Sequence, residues 1–287
     1  GVYACFLPPS LCHTGHIDQH GGCFKMQEQN MNLLGGGNME WSATAMQYGE
    51  ERFVRDPFGL DPSDPEFSTL FSNFAFDEVI RESKLDDKTR FLAILATLMG
   101  CQGADAFCAM VPGALKSGMT PVEIKELVYQ GAAYLGLGRV LPFLHGVNAV
   151  LEEQGVSLPL PPQGTTTPDT RITAGNQAQV DIFGQQMRGF QDSGPEESRH
   201  INRWLAGNCF GDYYTRGGLD YRQRELITFC FLAAQGGCEP QLVSHAAANM
   251  RIGNDKLLLI DMVSQCLPYI GYPRSLNALR CINEAAK

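Results

Sequence analysis

The chain repeats itself. Gly118, Val128, Gln130, Tyr134, Gly136, Arg139, Leu141 and Asn148 return as Gly253, Val263, Gln265, Tyr269, Gly271, Arg274, Leu276 and Asn283, each 135 residues later. Upstream, Leu85, Asp86 and Arg90 return as Leu219, Asp220 and Arg224 at a spacing of 134. So many identities in one order mark two copies of one unit of roughly 80 residues. The change in spacing places one inserted residue in the second copy, most simply at Gly236-Gly237. A unit that small is expected to bury its apolar face against its twin and against other subunits.

Apolar positions recur at helical spacing in both copies, and alternating strand patterns are almost absent, so the fold class is all-α. Thr120-Pro121-Val122-Glu123 combines a cap, a proline at the first helical position and a capping-box glutamate, which predicts a helix start. Gly136 or Gly138 should stop that helix. Pro112-Gly113 should break the helix before it. Residues 1–50, with Pro8-Pro9, Gly21-Gly22 and Gly35-Gly36-Gly37, are expected to form a largely irregular N-terminal extension. Gly155–Asn176 is rich in proline and threonine and is expected to be a linker. The expected organisation is therefore an extension (1–50), a first unit (51–154), a linker (155–177) and a second unit (178–287).

With 22 basic and 31 acidic residues, the formal net charge is −9. That balance argues against nucleic acid and anionic membrane surfaces as partners. The longest apolar run, Phe91–Met99, is too short to span a bilayer. A chain of 287 residues does not need its ten cysteines as a disulfide scaffold. No signal peptide is visible, and a reducing cytoplasm is the expected setting. Cys5, Cys12, His13, His16, His20 and Cys23 lie close together, but their spacing fits no standard zinc finger, and no metal or other cofactor is expected.

The repeated pattern is Leu-Asp-x-x-x-Arg, an apolar helix, a small-residue turn, a helix that carries His in the second copy, then Tyr-x-Gly-x-x-Arg and a last helix. In the second copy it reads Arg224-Glu225-Leu-Ile, Gly237-Cys238-Glu239-Pro-Gln241-Leu-Val-Ser-His245, and Tyr269-Ile-Gly271-Tyr-Pro273-Arg274. It resembles the carboxymuconolactone decarboxylase family, which includes the AhpD-like alkylhydroperoxidases, over about residues 73–153 and 195–287. The resemblance implies two tandem helical units of that family's kind. It also implies obligate oligomers, here a homotrimer of two-unit chains imitating a hexamer.

Only the second copy keeps polar candidates. Cys238, His245 and Glu225 correspond to Gly103, Met110 and Phe91 in the first. Glu225 can orient His245 as an acid–base pair. Gln241 and His245, four apart, share a helix face. Cys238 should lie about 10 Å from His245 along the helix axis, too far for contact. A helix start near Cys238 could lower its thiol pKa. Tyr269 and Arg274 recur in the copy that has lost its site, which favours structural roles. His200 and Trp204 are expected to pack helices.

The resemblance implies three readings of function. The first is a carbon–carbon lyase acting on a small lactone or keto acid. There His245 donates the proton, Glu225 orients it, and Arg224 or Arg251 holds the substrate carboxylate beside Gln241. The second is a thiol-dependent peroxidase of the peroxiredoxin type. The AhpD motif Cys-x-x-Cys-x-x-x-His has Gln241 in place of its attacking cysteine, so only Cys238 with an external thiol could serve. The third is a non-catalytic oligomer that binds small molecules.

Overall fold

The aspartates of the two Leu-Asp repeats cap corresponding helices. Asp86 accepts from the Thr89 amide at 2.9 Å, and Asp220 accepts from the Gln223 amide at 2.8 Å. In a computed structural model, which describes residues 40–287 apart from 54 and 55, each cap opens the first of four helices. The first copy contains α4 (Asp87–Gly100), α5 (Ala104–Lys116), α6 (Pro121–Leu135) and α7 (Leu137–Glu153). Ahead of it lie α1 (Ala43–Arg52), α2 (Pro65–Asn73), a π-helical turn (Phe74–Glu78) and α3 (Val79–Glu82). After α7 come α8 (Arg171–Phe183) and α9 (Arg199–Trp204), and α9 runs into a π-helix (Leu205–Tyr214). The second copy follows as α10 (Tyr221–Gln235), α11 (Glu239–Arg251), α12 (Lys256–Ile270) and α13 (Tyr272–Ala285). No strand occurs among the described residues, and no described helix is long and apolar enough to cross a membrane.

The capping box at Thr120 forms in both directions, with Glu123 N to Thr120 Oγ1 at 3.1 Å and Thr120 N to Glu123 Oε2 at 2.8 Å. Gly136 and its counterpart Gly271, at φ 77° and 78°, provide the left-handed turns that end α6 and α12. One apolar core runs through both copies, from Phe91, Leu95 and Met99 of α4 to Phe229 and Phe231 of α10. Two buried arginines cross-brace it. Arg90 donates to Gln265 Oε1 at 2.6 Å and Arg224 to Gln130 Oε1 at 3.2 Å, so each arginine binds the glutamine of the other copy.

The structure differs from the sequence reading at three places. Helix α1 starts at Ala43, inside the stretch expected to be irregular. Ser42 caps it, and Trp41, Ala45 and Tyr48 are buried. Helix α8 starts at Arg171, inside the expected linker, because Gly175 lets its backbone touch that of the π-helix. A Cβ on Gly175 would sit 1.8 Å from the Ala206 carbonyl oxygen. Helix α5 continues through Pro112. Gly113 there leaves room for aromatic rings, since a Cβ would lie 2.4 Å from Phe53 and 2.8 Å from Phe91. The Cys5–Cys23 cluster lies outside the described residues.

Candidate active site

Helices α10 and α11 bring Glu225 and His245 together. Glu225 is fully buried, and its Oε2 lies 2.8 Å from His245 Nδ1. An ionised carboxylate only accepts, so Nδ1 carries the hydrogen and Nε2 is the atom left for a substrate. Asn249, one turn beyond His245, donates to the backbone carbonyls of both Glu225 (3.0 Å) and His245 (2.8 Å) and so ties the two helices at this level.

A hydroxyl chain ends on the same carboxylate. Tyr214, at the end of the π-helix, donates to Glu225 Oε1 at 2.7 Å. Tyr134 donates to Tyr214 at 3.0 Å, and the Cys209 thiol donates to Tyr134 at 3.6 Å. Thr228, 2.6 Å from the Tyr214 hydroxyl, accepts from Gln130 at 2.8 Å. Burial, and then the nearby Glu225 charge, push the Tyr214 phenol well above its ordinary pKa. Burial does the same to Tyr134 and raises Cys209 to about 12. These groups stay protonated at neutral pH and serve as fixed donors. π-Helical segments are rare and cluster at functional sites, and this one supplies both Cys209 and Tyr214.

His245 faces a cavity of about 590 Å³. Gln179 and Phe183 of α8, Phe210 of the π-helix, Gln241 of α11 and Tyr134 of α6 help line it. The imidazole is held edge-on by Phe183 (centroids 5.2 Å, 80°) and Tyr134 (5.7 Å, 79°). Tyr134 belongs to the first copy, so the first copy contributes to this site. The recurrence of this tyrosine in both copies pointed to a structural role, yet Tyr134 sits against His245. Its counterpart Tyr269 packs edge-on to Phe71 at 5.8 Å.

Of the residues singled out in the sequence, His245, Cys238 and Gln241 line the cavity and Glu225 lies directly behind His245. Arg224 does not reach it. That side chain is buried against Glu126 (3.1 Å), Gln130 and the Arg216 and Gly217 carbonyls. Arg251 also lies elsewhere, donating to the Asp181 carbonyl at 2.8 Å. Among the described residues, no arginine or lysine lines the cavity. Cys238 occupies the cap position of α11, but burial pushes its thiol pKa up rather than down, and it donates to the Leu232 carbonyl at 3.4 Å. Arg274 donates to the Ala234 carbonyl at the end of α10. His200 stacks edge-on with Trp204 at 4.8 Å, and neither lines the cavity.

The first copy has a matching hollow of about 580 Å³, with Leu98, Gly103, Ala106 and Ala109 where the second has Leu232, Cys238, Gln241 and Ser244. Phe91 and Met110 fill the places of Glu225 and His245, both buried. The first hollow therefore lacks the acid–base pair.

The carboxymuconolactone decarboxylase family model matches residues 65–147 and 200–284. A 4-carboxymuconolactone decarboxylase of Acinetobacter baylyi is 27% identical over 109 residues, which cover 38% of this chain and 81% of that protein. A solved structure from Burkholderia xenovorans, provisionally described as a gamma-carboxymuconolactone decarboxylase subunit, superposes with a TM-score of 0.51 at 21% identity, over 84% of this chain and 96% of the other. With the family pattern present twice over most of the described chain, this protein belongs to the carboxymuconolactone decarboxylase family.

Proposed function

We propose that the protein is a decarboxylating lyase acting on a small lactone or keto acid, with His245 as proton donor and Glu225 as its orienting carboxylate. The observation that carries this reading is the 2.8 Å contact between Glu225 Oε2 and His245 Nδ1, which leaves Nε2 facing the cavity. As the bond to the substrate carboxylate breaks, its electron pair moves into the conjugated carbonyl and carbon dioxide leaves. The protonated His245 Nε2 then delivers a proton to the carbanionic carbon. Glu225 accepts from Nδ1 and holds the ring in place. The Acinetobacter baylyi relative, a 4-carboxymuconolactone decarboxylase, supports the same class of reaction.

The raised pKa of Cys238 weighs against the peroxidase reading, because the thiolate is the reacting form. The two are separated by assaying loss of 4-carboxymuconolactone in parallel with dithiol-dependent loss of peroxide. The lyase reading expects lactone turnover that survives Cys238→Ser. Peroxide consumption that disappears in Cys238→Ser, with no lactone turnover in the wild type, would replace it. The site's partner is then a small molecule, with no resident cofactor required.

Self-association belongs to the same proposal. Exposed apolar side chains occupy matching positions in both copies: Leu70 and Trp204, Leu137 and Tyr272, Leu141 and Leu276. Exposure repeated at one register fits surfaces that meet further copies of this chain.

A further inference from the structure

We infer that Gln179 is the group that binds the substrate's carbonyl oxygen and stabilises the negative charge that forms there. This rests on the lyase reading above. Gln179 lies on α8, a helix that carries none of the sequence-predicted candidates. It is fully buried and lines the His245 cavity. Its orientation follows from its neighbour. The Asn176 amide accepts from the Gly189 N–H at 3.0 Å and donates to the Met187 carbonyl at 2.7 Å, which fixes which end of that amide is nitrogen. Asn176 Nδ2 then also donates to Gln179, 3.1 Å away, so Gln179 presents Oε1 to it. By elimination, Gln179 Nε2 is held as a donor, and no atom of the described residues accepts from it.

A buried donor without an acceptor is costly, and native proteins rarely keep one without a use. Here the cost is repaid when a ligand oxygen arrives. Since no arginine or lysine among the described residues lines the cavity, the charge that develops during reaction falls to neutral donors and to His245. Loss of carbon dioxide moves the bonding electron pair onto a conjugated carbonyl and makes an enolate oxygen. The Gln179 amide donates to that oxygen while His245 Nε2 protonates the carbon. The substrate class follows: a carboxylate placed β to a carbonyl, or one double bond further along, with the carbonyl oxygen directed at α8.

The test uses Gln179→Leu, which keeps the volume and removes the amide. Two readouts are needed. The first is kcat on 4-carboxymuconolactone, expected to fall about a hundredfold, as loss of a single oxyanion donor does. Thermal stability is expected to change little, because the unpaired Nε2 donor is lost together with the Oε1 that accepts from Asn176. The second needs no turnover: an NMR titration with the neutral unsaturated lactone 2(5H)-furanone. Gln179→Leu should weaken its binding about tenfold, while His200→Ala, at a residue away from the cavity, leaves it within twofold. Weakened furanone binding in Gln179→Leu, even if wild-type lactone turnover is absent, would keep the oxygen-binding role and reject only the lyase reading. Unchanged furanone binding in Gln179→Leu, or a fall in thermal stability with kcat intact, would overturn the inference. Gln179→Met serves as the second variant if the leucine protein does not fold.

Discussion

At Glu225, one neutral phenol and an imidazole meet on a buried carboxylate, and a second phenol stands behind the first. In the proposed lyase His245 touches the reacting atoms, Tyr214 acts through Glu225, and Tyr134 acts through Tyr214. Tyr214→Phe removes a 2.7 Å donor that fixes the carboxylate holding His245. Steady-state kinetics should show kcat reduced roughly tenfold, about 1.4 kcal/mol, with KM little changed. Cys238 gives a second prediction at this scale. Its thiol is raised above the ordinary value of 9.0, so alkylation by iodoacetamide should be slow at pH 7 and accelerate only above pH 9. Of these residues, Glu225, His245 and Cys238 could be read from the sequence, because they fall in one short motif. Tyr214, Tyr134, Asn249 and Gln179 could not, because they come from four different helical segments that only the packing brings together.

Among the helices, repetition was the most legible signal, and its meaning was mostly structural. Arg90 and Arg224 recur with Gln265 and Gln130 because each pair braces one copy to the other. Arg224 therefore holds the core and stands away from the cavity. Arg224→Met should lower stability by about 3 kcal/mol in denaturant titration, since it leaves Glu126 buried with only Arg216 as its charged partner. The contact of α8 with the π-helix was hidden in the sequence. Its signal is the glycine pair Gly175 and Gly211, whose Cβ atoms would sit 1.8 and 2.1 Å from backbone oxygens. Glycine in a polar, irregular-looking stretch reads as a linker, whereas here it permits a helix–helix approach. Gly175→Ala should cost roughly 3 kcal/mol and, by shifting Gln179 and Phe183, reduce lactone turnover more than stability alone explains.

Across the whole molecule, the two copies share one core but divide the labour. The second carries the Glu225–His245 pair, and the first supplies Tyr134 and Gln130. The all-helical class and the tandem repeat were legible because capping residues and apolar spacing act locally. The first copy's share in the site was not, because it depends on how two similar units face each other. Buried phenols make the whole fold sensitive to alkali. Tyr48, Tyr134, Tyr214 and Tyr269 all have folded pKa values raised by burial. Above about pH 10 the unfolded chain releases phenol protons that the folded chain retains. The unfolded state then binds fewer protons, so stability is full below pH 10 and falls as pH rises beyond it. Urea titrations from pH 8 to 11 should show this decline, with a shallower slope for Tyr134→Phe.

The acid–base role of His245 is tested most directly by the turnover of 4-carboxymuconolactone in His245→Ala. A positioned proton donor contributes roughly 10²- to 10⁴-fold. The predicted result is a loss in that range, in a protein whose fold is intact by circular dichroism, with partial recovery on adding free imidazole. Wild-type turnover in the alanine variant would contradict it.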